Sequence, residues 1–289
     1  MKEIVVISGK GGTGKTSITA SLAMLLPKKV IADCDVDAAD LHLLLQPEIQ
    51  ERHDFYAGIR PVIDEAACTG CGTCMSVCRF SAVTVENVAV IDEFNCEGCG
   101  ICAYFCPSNA ISLQENLCGE WYISQTQYGP MVHAALGIGE ENSGKLVTLV
   151  KEKARRLAEA QGAELILVDG PPGIGCPVIA SISNANKVLI VTEPTLSGLH
   201  DLERVLGLAQ HFKTPSLVCI NKWDINAEVS HEIEARCAQK GVQVVGKIPF
   251  DEAMPKGLVA GLPVVEYDAQ SPAARAIYAL LAQGTSICL

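Results

Sequence analysis

Two stretches of this chain are copies of one another. "VIDEAACTGCGTCMSVCRFSAV" at 62–83 lies over "VIDEFNCEGCGICAYFCPSNAI" at 90–111 with a period of 28 residues, and Val, Ile, Asp, Glu, four Cys, two Gly and one Ala coincide. The duplication predicts a unit built from two cluster-binding halves. The cysteines fall in two runs, Cys68-x2-Cys71-x2-Cys74-x3-Cys78 and Cys96-x2-Cys99-x2-Cys102-x3-Cys106-Pro107. Thiolates are soft ligands suited to iron–sulfur clusters. The x2-x2 spacing lets three consecutive cysteines wrap one corner of a cubane, and the next turn carries the fourth to the other cluster. One 4Fe–4S cluster is therefore expected on Cys68, Cys71, Cys74 and Cys106, and the other on Cys96, Cys99, Cys102 and Cys78. Gly70, Gly72, Gly98 and Gly100 keep the loops small, so that backbone N–H groups can approach the sulfurs. Zinc is the alternative, but it calls for four ligands in paired spacing and not for two four-cysteine runs.

The rest of the chain follows another rule. It has 289 residues, of which 49% are hydrophobic and 19% charged, enough for one large or two smaller globular domains. Strand-length apolar runs recur at 3–8, 29–33, 164–169, 187–192, 216–221 and 242–248. They are nearly continuous in Val, Ile and Leu, as in strands buried on both faces. Helical patterns stand between most of them, at 15–26, 145–161, 197–211, 227–240 and 271–283. This alternation predicts an α/β fold with a mainly parallel sheet flanked by helices. The cysteine-rich segment interrupts it. We expect an α/β domain over 1–58 and 117–289, with an inserted α+β unit over 59–116. Residues 116–144 show no clear periodicity and are expected to form a connection back into the sheet.

The formal net charge of −11 argues against a nucleic-acid partner, which needs a basic face. No segment approaches the roughly 20 apolar residues of a membrane span. The opening "MKEIVVISGK" has no signal-peptide pattern, so a cytoplasmic location is expected. In a reducing compartment, fourteen cysteines point to metal or redox chemistry and not to a disulfide framework.

The first apolar run leads into "GKGGTGKT" and then a helix, the context that a phosphate-binding loop requires. Gly11, Gly12, Thr13 and Gly14 would turn backbone N–H groups toward phosphates at the helix N-terminus, with Ser17 in the first turn. Lys15 should contact the β- and γ-phosphates of ATP, and Thr16 should ligate Mg²⁺. Two strand ends are acidic: "VIADCDVD" carries Asp33, Asp35 and Asp37, and "LILVDGPPG" carries Asp169. Ligands in open α/β sheets bind at the carboxyl ends of strands, where a carboxylate can hold Mg²⁺ through water or orient the attacking water. For the Asp33–Asp37 group a solvated turn is an equal alternative.

A second lysine in the loop, Lys10, the acidic strand end, "DGPPG" and "INK" (220–222) together resemble the deviant-Walker-A ATPases, a group that includes the MinD, ParA, Mrp and nitrogenase iron proteins. The cysteine unit resembles the bacterial two-cluster ferredoxins, with Arg79 where that family usually has proline. Taken whole, the chain resembles MinD-superfamily ATPases that carry an inserted ferredoxin domain. The resemblance implies an ATP-dependent homodimer, or a heterodimer with a related ATPase, in which Lys10 reaches the partner subunit's phosphates. It also implies that Asp35 positions water, that Asp169 stands near Mg²⁺ through water, and that Asn221 reads adenine. Lys222 and Pro249, of the "IPFD" loop, would complete the nucleotide site. "VTEPTLSGLHDLERVL" (191–206) is family-like, without readable chemistry.

The remaining cysteines are ambiguous. Cys34, Cys219 and Cys237 are expected to pack in the core, and Cys288 lies in the tail. Cys176 follows Asp169 by seven residues, the interval at which the nitrogenase iron protein holds a cluster shared between subunits. A second cysteine upstream is lacking here, Cys118 being the nearest spare, so a buried thiol beside a moving loop is the alternative. His133 and His200 are expected to be structural. The C-terminal "SPAARAIYALLAQGTSICL" has one arginine, unlike a basic membrane-docking helix. Two functions remain open: an ATP-gated electron donor to a redox partner, or an Mrp-like carrier delivering clusters to an apo iron–sulfur or metal-cofactor protein.

Overall fold

Apolar runs buried on both faces become central strands, and the helices between them cover the two faces. The structure, a computed structural model, describes residues 1–140 and 142–282; Cys288 lies outside them. The chain opens with β1 (Lys2–Ser8), α1 (Lys15–Leu25), β2 (Lys29–Asp33) and α2 (Leu41–Leu45). A long strand, β3 (Glu48–Ile63), is followed by α3 (Thr73–Val77), β4 (Val83–Val85), β5 (Ala89–Ile91) and α4 (Ile101–Tyr104). Then come β6 (Ile111–Thr126), β7 (Gly129–Leu136), α5 (Ser143–Gln161), β8 (Leu165–Pro172) and α6 (Cys176–Ile182). The last part is β9 (Lys187–Thr192), α7 (Leu196–His211), β10 (Ser216–Asn221), α8 (Ala227–Gln239), β11 (Gln243–Ile248), α9 (Ala253–Ala260), α10 (Val264–Tyr267) and α11 (Pro272–Ala282). Among the described residues no helix is long and apolar enough to cross a membrane.

The chain divides into two compact units. The larger comprises Met1–His53, Glu120–Ala135 and the chain from Ser143 onward; the smaller comprises Asp54–Gly119 with Leu136–Asn142. The smaller unit therefore takes in more chain than 59–116.

A nine-stranded sheet runs in the order β11-β10-β9-β1-β8-β2-β7-β6-β3. The six strands from β11 to β2 are parallel to their neighbours, and β7 is also parallel to β2. Residues 116–144 correct the expectation of a connecting segment, because most of them form the end of β6 and all of β7. The two-residue turn at 127–128 joins these strands. The pattern of β3 and β6 is illegible for a physical reason. Most of β3 and the first half of β6 face solvent, so few positions need an apolar residue and the period-two alternation is lost. Under the parallel strands, Ile4, Val6, Ile18, Leu22, Ile31, Leu167 and Leu189 share one buried cluster. Each such side chain stabilises the fold by roughly 1.5–3 kcal/mol.

In the smaller unit the sequence duplication becomes an approximate two-fold arrangement. The Asp64 N–H donates to the Ala110 carbonyl at 2.8 Å, and the Asp92 N–H donates to the Ala82 carbonyl at 2.8 Å. Each bond is the other displaced by one repeat. Gly70 and Gly98 have φ of 65° and 61°, and a Cβ on either would lie 2.5 Å from the Asn87 carbonyl or 2.2 Å from the Ile59 carbonyl. Only glycine satisfies both demands. The short hairpin β4–β5 pairs Val83 with Ile91. Cys74, Val83, Ala89, Cys102 and Ile111 pack together as a small core.

A buried ion pair ties α5 to the base of the larger unit. Lys151 and Glu3, whose side chains are 4% and 5% exposed, face each other at 2.8 Å. Arg155 adds a second cation, donating to Glu3 Oε2 at 2.8 and 3.0 Å. The Lys151 ammonium also donates to the carbonyls of Ala180 (3.2 Å), Ser181 and Ser183 (2.8 Å), closing the C-terminal end of α6. Those carbonyls have no partner inside the helix. Removing one partner of a buried pair costs about 3–5 kcal/mol where the other charge is left uncompensated; here Arg155 stays on Glu3, which puts the loss of Lys151 at the lower end. We expect Lys151→Met to lower the unfolding free energy by about 3 kcal/mol, read from the urea midpoint. An unchanged midpoint would show that the pair contributes nothing net.

Candidate functional site

The parallel register brings the acidic strand ends together. Asp33 at the end of β2 stands opposite Asp169 in β8, and Asp169 stands opposite Val6 of β1 on its other side. The Cys34 N–H donates to the Asp169 carbonyl at 2.8 Å, holding the two strand ends in step. The loop from Gly9 to Gly14 leaves β1 beside them. Gly12 and Gly14 have φ of 78° and 88°, in the left-handed region that favours glycine. No side chain caps α1, so its first-turn N–H groups remain available to an anion. A Cβ on Gly11 or Gly12 would meet nothing within 4 Å, whereas one on Gly14 would lie 2.3 Å from Asn221 Nδ2.

Lys15 is buried at the centre. Its ammonium lies 3.0 Å from Asp169 Oδ2 and 3.3 Å from Asp35 Oδ2. Burial alone would lower its pKa, but Asp169, Asp35 and Asp33 outweigh burial and raise it. Thr16 donates to Asp169 Oδ2 at 2.9 Å, and Thr19 donates to Asp169 Oδ1 at 2.8 Å. Asp33 is buried, its Oδ1 accepts from the Asp35 N–H at 3.1 Å, and its Oδ2 has no partner. Burial, followed by the charge of Asp169, pushes the Asp33 carboxyl well above the usual carboxylate range. Burial likewise raises Asp35. Asp37 is exposed, so the solvated-turn alternative describes it and not Asp33 or Asp35.

Mg²⁺ favours one or two carboxylates together with waters and phosphate oxygens over an all-protein cage. Thr16, Asp35 and Asp169 fit that demand, and the unpartnered Asp33 oxygen adds negative charge beside them. Among the described residues no three His, Cys, Asp or Glu side chains converge on one ion position, which leaves the further ligands to solvent and phosphate.

Lys10 is held within its own chain. Its ammonium lies 2.7 Å from Glu193 Oε1, 3.0 Å from Ser197 Oγ and 3.3 Å from Thr195 Oγ1. Glu193 also meets Lys222 at 3.0 Å through its other oxygen. Burial would raise the Glu193 carboxyl, yet its bonds to Lys10 and Lys222 hold it below its ordinary value. Lys222 reaches back to the Gly12 carbonyl at 3.1 Å. Asn221 Nδ2 donates to the Thr13 carbonyl at 2.8 Å, so here the side chain braces the phosphate loop. Pro249 follows β11 in a loop whose next N–H, from Phe250, is accepted by Asp224 Oδ1 at 2.6 Å. Ser17 is half-buried in the first turn of α1.

Sequence reasoning missed Glu193, Thr195, Ser197 and Thr19. The first three lie inside "VTEPTLSGLHDLERVL", where the acid ends a strand as Asp33 ends β2; that was the available signal. Thr19 carried none, because a threonine one turn after Thr16 looks like any helical residue.

In the smaller unit, Cys68, Cys71, Cys74 and Cys106 line one cavity. Cys78, Cys96, Cys99 and Cys102 line a second. The two sets match in burial: Cys71 and Cys99 are exposed, Cys74 and Cys102 buried, and the rest intermediate. Each set is four soft donors ringing a space and not meeting at a point, which suits a polynuclear cluster whose metal atoms take one thiolate each. Cys34, Cys219 and Cys237 are buried in the larger unit. Cys118 is buried in the smaller one, its thiol donating to the Ala57 carbonyl at 3.0 Å. Cys176 is exposed at the start of α6, which corrects the alternative of a buried thiol. It lies at the exposed start of α6, whose later residues Val178, Ser181 and Ile182 are the ones that pack inside. His133 is buried against Ser124 at 2.8 Å, and burial lowers its pKa to about 4. His200 is exposed.

Comparisons with known proteins bear on this site. Residues 4–264 match the CobQ/CobB/MinD/ParA nucleotide binding domain. The uncharacterized protein MJ0578 of Methanocaldococcus jannaschii is 34% identical over 258 residues, covering 88% of this chain and 86% of its own. The uncharacterized ATP-binding protein MJ0547 of the same organism is 25% identical over 290 residues, covering 97% of this chain and 86% of its own. The septum site-determining protein MinD of Pyrococcus horikoshii OT3, complexed with Mg-ADP, superposes with a TM-score of 0.61 at 18% identity, covering 100% of this chain and 98% of its own. A phosphate loop on β1, carboxylates on β2 and β8, and a match spanning most of the sequence lead to one conclusion: the chain belongs to the CobQ/CobB/MinD/ParA family of nucleotide-binding domains.

Proposed function

We propose that this protein is an ATP-hydrolysing, dimer-forming switch that gates electron transfer from two 4Fe–4S clusters to a redox partner. One observation carries the reading. The phosphate-binding site shares its chain with two cavities, each lined by four thiols drawn from both copies of a duplicated run. Cys68, Cys71, Cys74 and Cys106 would hold one cluster, and Cys78, Cys96, Cys99 and Cys102 the other. Such clusters supply one-electron chemistry when bound. Both sets are used internally, which favours permanent clusters over cargo to be handed on.

The nucleotide half follows from the residues around Lys15. First-turn amides of α1 and the Lys15 ammonium would take the ATP phosphates, and Thr16 would contribute to Mg²⁺. Asp35 and Asp169 would orient metal-bound and attacking waters. Asp169 is fixed for this by Thr16, Thr19 and Lys15 together. Lys10 would leave Glu193 and reach the phosphates bound by the partner subunit. Glu193 keeps Lys222 when Lys10 departs, so the exchange strands no carboxylate. A ligand shifts such an equilibrium only through different affinity for the two states; a lysine that touches phosphate only in the dimer supplies that difference.

Two variants separate the halves. Lys10→Ala should reduce ATP hydrolysis by about 10³-fold, the scale of a cation supplied in trans to a transferring phosphoryl group. It should also abolish ATP-dependent dimerisation in light scattering, with iron content unchanged. Normal hydrolysis by this variant counts against the trans role. Asp169→Asn should lose roughly 10²-fold in Mg²⁺-dependent hydrolysis, again with iron retained. The coupling itself is read from cluster absorbance after anaerobic purification, during turnover with an oxidised acceptor. Electron loss that accelerates with ATP supports gating. Iron moving to an apo-protein instead means a carrier and not an electron donor.

A further inference from the structure

The two thiol sets are related by a repeat of 28 residues, and most residues lining one cavity have their counterpart lining the other. Three of those pairs differ in the same sense. Thr73 Oγ1 lies 3.4 Å from Cys71 Sγ, and Ser108 Oγ lies 3.6 Å from Cys106 Sγ. The Ala89 N–H donates to Cys68 Sγ at 3.5 Å. Thr73, Ser108 and Ala89 all line the first cavity. One repeat away stand Ile101, Phe80 and Pro61, and all three line the second. Isoleucine and phenylalanine side chains carry no donor, and proline has no N–H. The Ala110 N–H also donates to Cys106 Sγ at 3.3 Å, but its counterpart Ala82 keeps an N–H, so that contact does not separate the halves.

Hydrogen bonds to ligand sulfurs are one of the levers that set the potential of an iron–sulfur cluster. An added electron places more negative charge on the sulfurs, and a donor to a charged acceptor gains strength with that charge. Donors therefore favour the reduced form. Apolar neighbours act the other way, because added charge in a poorly solvating wall is costly. Ile101 and Phe80 thus lower the second site for the same reason that Thr73 and Ser108 raise the first.

We propose that Thr73, Ser108 and the Ala89 amide set the reduction potential at Cys68, Cys71, Cys74 and Cys106 above that at Cys78, Cys96, Cys99 and Cys102. A single electron delivered to this unit then resides on the first set. The step is a one-electron exchange: the second site is oxidised by one electron as the first is reduced by one, with no proton and no third reactant. The assignment rests on the reading above that both thiol sets carry 4Fe–4S clusters.

The test uses the full-length protein purified anaerobically, with iron and sulfide counted first. It is then titrated reductively with mediators and followed by electron paramagnetic resonance. Two separate one-electron midpoints are expected in the parent protein. Thr73→Val and Ser108→Ala should each lower the upper midpoint and leave the lower one in place. Each lost hydroxyl should change the partition of the electron on the order of tenfold, equal to about 59 mV for one electron. Ile101→Thr, which adds a donor without removing a contact of the first set, should raise the lower midpoint alone. Coincident midpoints in a protein holding about eight irons would overturn the assignment and leave the two-cluster reading intact. So would a Thr73→Val/Ser108→Ala double variant with both midpoints unmoved. A chain that binds no iron would overturn the cluster reading and the assignment with it.

Discussion

The nucleotide half depends on one buried ammonium facing more negative charge than it can balance. Lys15 touches Asp169 and Asp35, while Asp33 sits behind them with one carboxylate oxygen unpartnered. Opposite unit charges about 4 Å apart attract by roughly 4 kcal/mol at the effective dielectric of a protein edge, and like charges repel on the same scale. One cation therefore compensates one carboxylate well, a second partly and a third hardly at all. Asp33 shows the remainder, since burial and Asp169 push its carboxyl well up. A donor set of this kind suits a divalent cation arriving with a phosphate chain. In the proposed reading, the cation would answer the carboxylates and the phosphates would answer Lys15 and the first turn of α1.

That balance exists only because of strand register. Asp33 and Asp169 are paired across β2 and β8, and Cys34 closes the pairing on the Asp169 carbonyl. A slip of one residue would turn each side chain to the opposite face of the sheet. The continuous burial of β1, β2 and β8 fixes the register, so the core and the charge cluster hold one another in place. Glu193 extends the same logic to the next strand. Placed at the end of β9 with Lys10 and Lys222 on its two oxygens, it links the phosphate loop to β9 and β10. In the proposed cycle, Lys10 exchanges one anionic partner for another while Lys222 keeps Glu193 paired.

The thiol unit obeys a different constraint. Its halves share the paired backbone bonds at Asp64 and Asp92, the burial pattern of their cysteines and the left-handed glycines. The side chains around each cavity are not copies. A duplicated scaffold with different walls keeps the ligand geometry constant and changes only the surroundings, which is the condition under which hydrogen bonding and solvation alone tune two sites apart.

Six of the parallel strands were legible because burial on both faces forces an unbroken apolar run, and five of the helices because one buried face imposes a helical period. The phosphate loop was legible because strand, glycines and helix occur in one short segment. β3 and β6 were not, because their largely solvent-facing positions need little apolar patterning, and β7 was not, because its buried run is only Met131–Ala134 with His133 among them. Glu193 was hidden for a related reason: an acid at a strand end gains meaning only from the lysines brought to it by β1 and β10. By itself the sequence determined the fold class, the phosphate loop, the acidic strand ends and the grouping of eight cysteines into two runs, since each is set by local spacing. Only the tertiary structure decided that Asp33 lies behind Lys15, that Lys10 rests on Glu193, that Cys176 is exposed, and that Thr73, Ser108 and the Ala89 amide reach thiols of one set while Ile101, Phe80 and Pro61 line the other. Those facts join residues far apart in the chain, and no local pattern fixes which of them will meet.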